Sequence, residues 1–421
     1  MNLVTEFVNR ELELANGCTE PAAVAYAVSS AAKYSDGDLK KIIIEMDDFV
    51  YKNGMTTGIP GIDDYRGNKT AAALGYYAEN PERKKLKLLA SDSKKYIDRA
   101  VGIMDKIKFK IINRPTPYIH VILKADNVTE SLITNEHSNL KWIKVNGKKI
   151  KKIVDNKDNK SNKQNNKSAQ KLNNITIEQI VDIVEKQYNN EIKNVLKEGL
   201  HRNMALVKAG QRGEGNGIGL KYEKIADNKI KKIGSIIAHG VDARMAGVPL
   251  PAMASSGSGD QGITISISIN EMGKLMGKDE DEIFRATLIG HMTAYYIKLF
   301  MGRLSSYCGL ITAAAPGILA ALLYMDGMVE KIEDSINYML GDSSGILCDG
   351  ANASCALKAV SAFELAFRHY QLAKAGLSFD HAVGIMSNNL EETLKNLNKL
   401  SSPAEDSLNE TLVEVLESNN N

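Results

Sequence analysis

A change of composition in the middle of the chain divides it into two stretches that have enough apolar residues to fold. From Lys148 to Asn174 most residues are Lys, Asn, Asp, Ser or Gln, so this segment has almost nothing to bury. We therefore expect a solvated, mobile insertion between two structured parts. Interleaved asparagine and aspartate, with no aromatic residue, argue against the alternative of a basic nucleic-acid-binding arm.

The overall composition limits the classes of protein to which this chain can belong. A chain of 421 residues with 43% hydrophobic residues has material for two domains, or one large domain with an insertion. A net charge of +2 with 25% charged residues gives no reason to expect nucleic-acid or bulk membrane binding. Residues 1–6 show no signal-peptide pattern, and Pro316-Gly317 interrupts the longest apolar run, 310–325, which is short for a bilayer. We expect a soluble cytoplasmic protein with reduced cysteines and no membrane partner.

The first part, residues 1–147, is predicted to form an α+β domain. Apolar residues at helical spacing predict a helix over 3–15, which Gly17 ends. Pro21 favours the first turn of a second helix, which continues through 22–33. The chain between these two helices therefore lies at a helix N-terminus.

The rest of the first part is rich in strand signals. Residues 40–52 predict a strand, and the loop that follows, Asn53–Gly61, is dense in glycine and hydroxyl groups. Further strand-like segments end near Asn146-Gly147 and cover 107–112, 118–125, 129–134 and 141–146. We predict that they form an antiparallel sheet.

The last part, residues 175–421, has helical periodicity throughout. Amphipathic or apolar helices are predicted over 177–196, 229–246, 262–276, 280–300, 309–325, 352–375 and 380–397. The predicted fold class is therefore α+β, with a mixed N-terminal domain and a larger, mainly helical C-terminal domain.

The cysteines of the chain are unevenly distributed. Cys308, Cys348 and Cys355 lie close together in the last third, and Cys18 stands alone within Gly17-Cys18-Thr19-Glu20-Pro21. This split suggests that three thiolates hold a metal centre while the fourth cysteine has another role. An iron–sulfur cluster with three cysteine ligands leaves one iron open to a substrate, whereas four ligands close the site.

Spacing alone does not decide between a metal site and small buried side chains. Free cysteines often behave as buried hydrophobes, and Cys308 taken alone fits that description. Cys348 and Cys355 fit it less well, because the segment between them, Asp349–Asn352, reads as an exposed turn. Their separation is wide for a zinc hairpin, and no histidine lies nearby at ligand spacing.

Other segments carry candidate functional groups. Cys18 is predicted to sit at a helix N-terminus, where the helix dipole and unpaired N–H groups stabilise a thiolate. The stretch 254–262 precedes an apolar helix and is either a carboxylate-binding loop or an ordinary capped loop. His239–Arg244 is more polar than its flanks and is a further candidate.

Taken together, these residues resemble the archaeal and bacterial L-cysteine desulfidases, relatives of the iron–sulfur L-serine dehydratase α chains. The segments that carry the resemblance run from residue 17 to 355 and include Gly17–Pro21, Asn53–Gly61, Ser255–Asp260 and the three clustered cysteines. The resemblance implies a 4Fe–4S cluster held by Cys308, Cys348 and Cys355, with Cys18 as the catalytic base. It also implies conversion of L-cysteine and water to sulfide, pyruvate and ammonia.

On this hypothesis the substrate's carboxylate and amino groups are held by two loops, and the site lies between the two domains. The candidate substrate-binding residues are Asn53, Gly54, Thr56, Thr57, Ser255, Ser256, Gly257 and Ser258. Alternatives are an L-serine dehydratase that uses the same residues, a non-catalytic iron–sulfur sensor with four cysteine ligands, and a zinc-stabilised binding protein. A symmetric homodimer is the default oligomer.

Overall fold

The computed structural model describes residues 2–152 and 175–420, and it has the predicted α+β fold. In the first range the helices are α1 (Leu3–Glu11), α2 (Thr19–Ala32), α3 (Asp48–Gly54), α4 (Gly67–Tyr77), α5 (Pro81–Lys84) and α6 (Leu88–Val101), with 3₁₀ turns at Lys85–Lys87 and Met104–Lys106. The strands there are β1 (Leu14–Asn16), β2 (Lys41–Met46), β3 (Gly58–Ile59), β4 (Ile62–Arg66), β5 (Ile107–Ile111), β6 (Tyr118–Lys124), β7 (Val128–Thr134), β8 (Leu140–Val145) and β9 (Lys148–Lys152).

Within residues 41–152, a 6-stranded sheet has the spatial order β5-β2-β6-β7-β8-β9. The antiparallel prediction is wrong for β2 and β5, which pair in parallel. Helices α3, α4 and α6 form the long crossover between them that a parallel connection requires. The predicted insertion also begins too early, because β9 pairs with β8 through Lys148–Lys152. The remainder of the predicted insertion, 153–174, lies outside the described residues.

The predicted strand over 40–52 is correct only as far as Met46. Asp47 follows it, and its carboxylate accepts a hydrogen bond of 3.0 Å from the N–H of Val50. This N-cap satisfies a backbone donor that a strand would have paired with a neighbour, so helix α3 begins there. Consequently Asn53 and Gly54 end a helix and do not open a loop.

The predicted helix over 3–15 ends at Glu11. Strand β1 follows it and pairs antiparallel with β10 (Pro251–Met253) of the second range, with Leu14 opposite Met253. The apolar side of α1, which includes Phe7 and Val8, belongs to the hydrophobic core of the helical region. Residues before Cys18 are therefore packed against the C-terminal helices.

The helices of the second range are α7 (Ile177–Gln187), α8 (Asn190–Gln211), α9 (Ile218–Glu223), α10 (Lys229–Ala246), α11 (Gly259–Leu275), α12 (Glu280–Met301), α13 (Ala315–Met325), α14 (Ile332–Ser343), α15 (Cys355–Lys374) and α16 (Leu390–Asn420), with a π-helix at Leu310–Ala314 and a 3₁₀ turn at Val329–Lys331. The predicted helix over 177–196 is split because the Asn189 side chain caps a new helix. The predicted helix over 380–397 is wrong before Leu390. In the described residues, no helix is both long and apolar enough to cross a membrane.

The first hydrophobic core lies between one face of the sheet and helices α2 and α4. Strand β2 alternates in burial, with Ile42, Ile44 and Met46 fully buried. Helices α2 and α4 approach closely because Gly75 has no side chain: a Cβ there would lie 2.5 Å from the carbonyl oxygen of Ala25.

Helix α16 packs against α3. The buried ammonium of Lys52 donates to the side-chain oxygen of Asn409, and the Asn409 amide in turn donates to Asp48. At the exposed edge, the Tyr51 hydroxyl donates to Glu417 over 2.9 Å. The C-terminal helix therefore holds in place the short helix that ends at Asn53.

We predict that Gly75→Ala destabilises the fold by about 2 kcal/mol, because the added methyl group overpacks the α2–α4 contact. In a helix without such a contact, replacing glycine by alanine stabilises by about 1 kcal/mol. A lower free energy of unfolding for Gly75→Ala would therefore identify the α2–α4 contact as the cause. The measurement is the free energy of unfolding in urea. Gly102→Ala is the matched control, since a Cβ there comes no closer than 3.5 Å to the Arg99 carbonyl oxygen. Equal stability of both variants with wild type would contradict the packing argument.

Candidate active site

A cavity of about 140 Å³ lies where the N-terminal and helical parts meet, and its lining includes all four cysteines. Cys18 comes from the start of α2, and Asn53 comes from the end of α3. Cys308, Cys348 and Cys355 come from the helical part. Residues that are far apart in the sequence are thus brought to one site.

Cys308 and Cys348 are held side by side by main-chain pairing. Their neighbours Tyr307 and Leu347 form an isolated antiparallel bridge. The N–H of Cys308 donates to the carbonyl of Ile346, and the N–H of Cys348 donates to that of Ser306, each over 2.8 Å. A π-helix begins two residues after Cys308, at Leu310, and this rare conformation is frequent at functional sites.

Cys355 is the first residue of α15, and its thiol lies 3.7 Å from the carbonyl oxygen of Gly350. Burial and the nearby Cys348 thiol raise the pKa of Cys308 to about 11. Burial, the Asp260 carboxylate and the other two thiols also raise the pKa of Cys355. In both cases part of the pKa shift comes from another cysteine of the group.

The prediction that Asp349–Asn352 forms an exposed turn is wrong. Gly350 is buried, with a φ of +91°, and a Cβ there would lie 2.6 Å from the Lys52 carbonyl oxygen. The N–H of Ala351 donates to the carbonyl of Asn53 over 3.4 Å. The turn between Cys348 and Cys355 therefore packs directly on the end of α3, which joins the cysteine-bearing loop to the N-terminal part.

Cys18 occupies the predicted position at a helix N-terminus, but its thiol has a different partner from the one predicted. It is the N-cap of α2, and its side chain makes no capping hydrogen bond. The Cys18 thiol donates instead to Oε2 of Glu20 over 2.8 Å. Burial and the Glu20 carboxylate raise the pKa of Cys18 well above its ordinary value, although Arg244 opposes this shift. The predicted thiolate stabilised by the helix end is therefore wrong: the resting form is a thiol.

Glu20 is almost fully buried and has several partners. Its Oε2 also accepts from the Thr19 hydroxyl over 3.0 Å, and its Oε1 accepts from the Asn53 amide over 3.3 Å. Burial alone would raise the pKa of Glu20, but His137, the Cys18 thiol and the surrounding N–H donors outweigh it and lower that pKa. Glu20 is therefore an ionised carboxylate that already accepts the Cys18 proton in a hydrogen bond.

Arg244, near the end of α10, connects three segments of the cavity wall. It donates over 2.8 Å to Asp260 in the first turn of α11, and over 2.9 Å to the carbonyl of Gly17, immediately before Cys18. Its guanidinium lies against Gly259, where a Cβ would be 2.5 Å from Nε. The position of Cys18 thus depends on a buried arginine of the helical part.

Three buried polar atoms on residues of the cavity lining have no hydrogen-bond partner in the described part of the chain: Nε of Arg244, Oδ1 of Asn53 and Oε1 of Gln261. Buried polar atoms are nearly always paired, so these three atoms are available to hydrogen-bond a molecule bound in the cavity. Lys298 of α12 also lines the cavity and donates to the carbonyl of Ser256 over 3.0 Å. Burial, reinforced by Arg303, lowers the pKa of Lys298 to about 8.

The residues predicted to bind substrate divide into two groups. Asn53, Gly257 and Ser258 line the cavity, whereas the cavity lining in the described residues does not include Gly54, Thr56, Thr57, Ser255 and Ser256. The Thr57 hydroxyl donates to the carbonyl of Asn53 over 2.7 Å, and the Ser255 hydroxyl lies 2.9 Å from Nδ1 of His291. The hydroxyl groups of Thr57 and Ser255 therefore form hydrogen bonds behind the cavity lining and do not face the cavity.

The conformation of the serine-glycine loop explains which of its residues face the cavity. Ser255 and Ser258 pair through both main-chain hydrogen bonds at 3.0 Å, and Ser256 and Gly257 between them both have positive φ, 49° and 83°. This is a tight hairpin-like turn, for which glycine at the second position is favourable. Ser258 is the N-cap of α11, and its side-chain oxygen accepts a hydrogen bond from the main-chain N–H of Gln261.

Lys298, Gln261 and His137 were not among the candidates predicted from the sequence. Lys298 had a detectable signal, because it interrupts the apolar stretch Tyr295–Met301 of a helix that is otherwise buried. Gln261 lies within the glycine- and serine-rich stretch 254–262 that the sequence did single out, but it was not itself named as a binding residue. His137 lies in a polar hairpin loop, and nothing in its local sequence distinguishes it from a surface histidine.

Comparison with known proteins identifies the family. The sequence model of the serine dehydratase alpha chain family matches residues 144–417, more than half of the chain. The chain belongs to the serine dehydratase alpha chain family. The matched range contains Cys308, Cys348 and Cys355, and Cys18 precedes it.

Relatives align over nearly the whole chain. A UPF0597 protein of Desulfatibacillum aliphaticivorans is 30% identical over 429 residues, covering 98% of this chain and 97% of the relative. A UPF0597 protein of Thermosipho africanus is 33% identical over 396 residues, with 93% and 94% coverage. A third, from Clostridium perfringens, is 32% identical over 427 residues. The N-terminal α+β part is therefore shared with these relatives.

We predict that Glu20→Gln makes Cys18 ionise at lower pH. The substitution removes the negative charge that raises the pKa of the thiol, so alkylation of Cys18 by iodoacetamide should reach half of its maximal rate at a lower pH than in wild type. Mass spectrometry of the Cys18 peptide separates this reaction from that of the other cysteines. Glu198→Gln, which removes an exposed carboxylate paired with Arg202, should leave the midpoint unchanged. An unshifted midpoint in Glu20→Gln would contradict the Cys18–Glu20 pairing.

Proposed function

We propose that this chain is an iron–sulfur lyase that eliminates sulfide from L-cysteine, giving pyruvate and ammonia without pyridoxal phosphate. The observation that carries the proposal is the convergence of all four cysteines on one cavity. Three of them come from neighbouring segments of the helical part, and Cys18 enters from the start of α2 with a carboxylate partner. This division matches three ligands and one acid–base residue.

The donor set fits an iron–sulfur cluster. Cys308, Cys348 and Cys355 are free thiols on one cavity, and soft thiolate ligands select such clusters. In the described residues, no three His, Cys, Asp or Glu side chains are arranged to hold a single metal ion. The ligands of an iron–sulfur cluster do not have to lie as close together as the ligands of a single ion, because each cysteine binds a different iron.

The charge around these thiols also suits the cluster. The ammonium of Lys358 donates to the carbonyl of Leu347 over 3.1 Å, next to Cys348. Burial opposes the charged form, but Asp349 and the thiols of Cys308 and Cys355 raise the pKa of Lys358. A fixed cation beside deprotonated ligands reduces their mutual repulsion. When bound, a 4Fe–4S cluster with three cysteine ligands supplies an open iron, a Lewis acid for the leaving group of the substrate.

The remaining lining suits a zwitterionic amino acid. Arg244 and Lys298 are cationic donors for the α-carboxylate, and the unpartnered Nε of Arg244 supplies one such N–H. The unpartnered oxygens of Asn53 and Gln261 are acceptors for the α-ammonium group. A ligand that satisfies all three orphan atoms needs both donors and acceptors, as an α-amino acid has.

Cys18 and Glu20 supply the proton transfer. Transfer of the thiol proton along the 2.8 Å hydrogen bond to Glu20 leaves a thiolate at Cys18. Because burial and Glu20 hold the pKa of Cys18 high, this thiolate is a strong base for the α-proton of the substrate. Elimination yields 2-aminoacrylate, which tautomerises and hydrolyses to pyruvate and ammonia without further help from the protein.

L-serine dehydration is the second candidate, and the description of the matching family favours it. The same residues would serve, with a hydroxyl group in place of the thiol as the leaving group. The test is an anaerobic assay of cluster-loaded protein with L-cysteine and L-serine in parallel, in which pyruvate and sulfide are quantified. Equimolar sulfide and pyruvate from L-cysteine, with little pyruvate from L-serine, supports the desulfidase. Pyruvate mainly from L-serine selects the dehydratase, and no product from either leaves the non-catalytic iron–sulfur sensor.

We predict that Cys18→Ala retains the cluster and loses turnover, because Cys18 is proposed as a base and not as a ligand. Serine at Cys308, Cys348 or Cys355 should abolish both the cluster absorption and the activity. The measurements are the visible absorption spectrum, the iron and sulfide content, and the rate of pyruvate formation. A Cys18→Ala protein that cannot hold the cluster would contradict the division of roles among the cysteines.

A further inference from the structure

The loop between β7 and β8 brings His137 next to Glu20. Nε2 of His137 lies 4.0 Å from Oε1 of Glu20, the oxygen that does not bind Cys18. This ring nitrogen is buried and has no hydrogen-bond partner within the described ranges, yet the His137 side chain is 22% exposed. The imidazole of His137 therefore lies between the buried Glu20 carboxylate and the protein surface.

The proposed elimination requires a path for one proton at each turnover. The Cα–H bond breaks, its electron pair forms the Cα=Cβ bond, and the electron pair of the Cβ–S bond leaves with sulfur. The α-proton goes to the Cys18 thiolate, which restores the thiol. Glu20 then still carries the proton that Cys18 gave it, and it must lose that proton before another cycle.

The charged groups around Glu20 leave one suitable acceptor among the described residues. Arg244 is a permanent cation that donates to Asp260, and Asp260 is held in that ion pair. Lys298 donates to the carbonyl of Ser256. Nε2 of His137 is the nearby nitrogen without a partner, and a neutral imidazole accepts a proton there.

We propose that His137, acting through Glu20 as a positioning residue, accepts the proton that Glu20 holds after each cycle. Cys18, Glu20 and His137 then form a proton relay from the cavity to the protein surface. The relay rests on the proposed elimination chemistry. A proton passes from Glu20 Oε1 to His137 Nε2, and the imidazolium then releases a proton to water at its exposed side. A small displacement closes the 4.0 Å separation to hydrogen-bond distance.

The coupling between Glu20 and His137 can be measured without turnover. Infrared difference spectra across a pH titration report the protonated carboxyl band of Glu20, which Glu20→Gln identifies by its loss. Because His137 lowers the pKa of Glu20, His137→Asn should raise it. The matched control is His120→Asn, since His120 also lies beside carboxylates of the same sheet, 3.1 Å from Glu45 and 3.0 Å from Glu130, and these, not Glu20, are its partners. That variant should leave the Glu20 titration unchanged.

The kinetic test uses the cluster-loaded protein and its better substrate. We expect Glu20→Gln to lower kcat by about 10²-fold, the lower end of the range for acid–base residues. His137→Asn should lower kcat by about 10-fold, below that range, with KM unchanged, because His137 acts only through Glu20. Added imidazole should restore kcat of His137→Asn, because it replaces the missing acceptor, and should not restore Glu20→Gln. A merely structural role for His137 does not predict this rescue. His120→Asn should retain wild-type kcat.

The outcomes are distinguishable. A shifted Glu20 titration together with imidazole rescue supports the relay. An unshifted titration, or a wild-type kcat in His137→Asn, overturns the relay and leaves the proposed elimination intact. Absence of turnover of both amino acids by cluster-loaded wild-type protein overturns the proposed function, and the relay with it.

Discussion

A single buried guanidinium holds the candidate site together. Arg244 donates to the carbonyl of Gly17 on one side and to Asp260 on the other, so it fixes the start of α2 relative to the start of α11. It fits because Gly259 leaves the space that its Nε occupies. A buried charge without partners is very costly, so this arginine constrains both segments to stay where its hydrogen bonds are satisfied. Cys18 follows Gly17 directly, and its distance from the clustered thiols is therefore set by the same contact.

The site is assembled from segments that belong to separate hydrophobic cores. Helix α1 and strand β1 are packed with the helical core, and α2 begins the core beneath the sheet. The chain crosses between them at Gly17, whose φ of +72° suits glycine. The turn that contains Gly350 makes the reciprocal contact, from the helical part onto α3. Both halves thus contribute main-chain contacts as well as side chains to one cavity.

The sequence predicted the fold class, many of the helices and the sheet strands β2 and β5 to β8, because these depend on apolar periodicity within short segments. It did not predict α4, α6, α14 or β9. It failed where one polar side chain decides the local structure: Asp47 caps a helix within an apolar run, and Asn189 starts a second helix within an amphipathic pattern. It also misjudged the ionisation of Cys18, since helix position suggests a thiolate whereas the nearby Glu20 and burial favour the thiol. Arg244, Lys298 and His137 reach the site through tertiary contacts, which local patterns do not record.

The contact between α16 and α3 has a consequence for biosynthesis. Asp48 and Lys52 leave the ribosome early, whereas Asn409, which bonds to both, is made after every residue that lines the cavity. Until then the end of α3, on which the Gly350 turn rests, lacks its outer support. The loop that carries Cys348 and Cys355 is therefore fully supported only after α16 has been translated. Insertion of a cofactor into this cavity should consequently follow synthesis of the chain rather than accompany it.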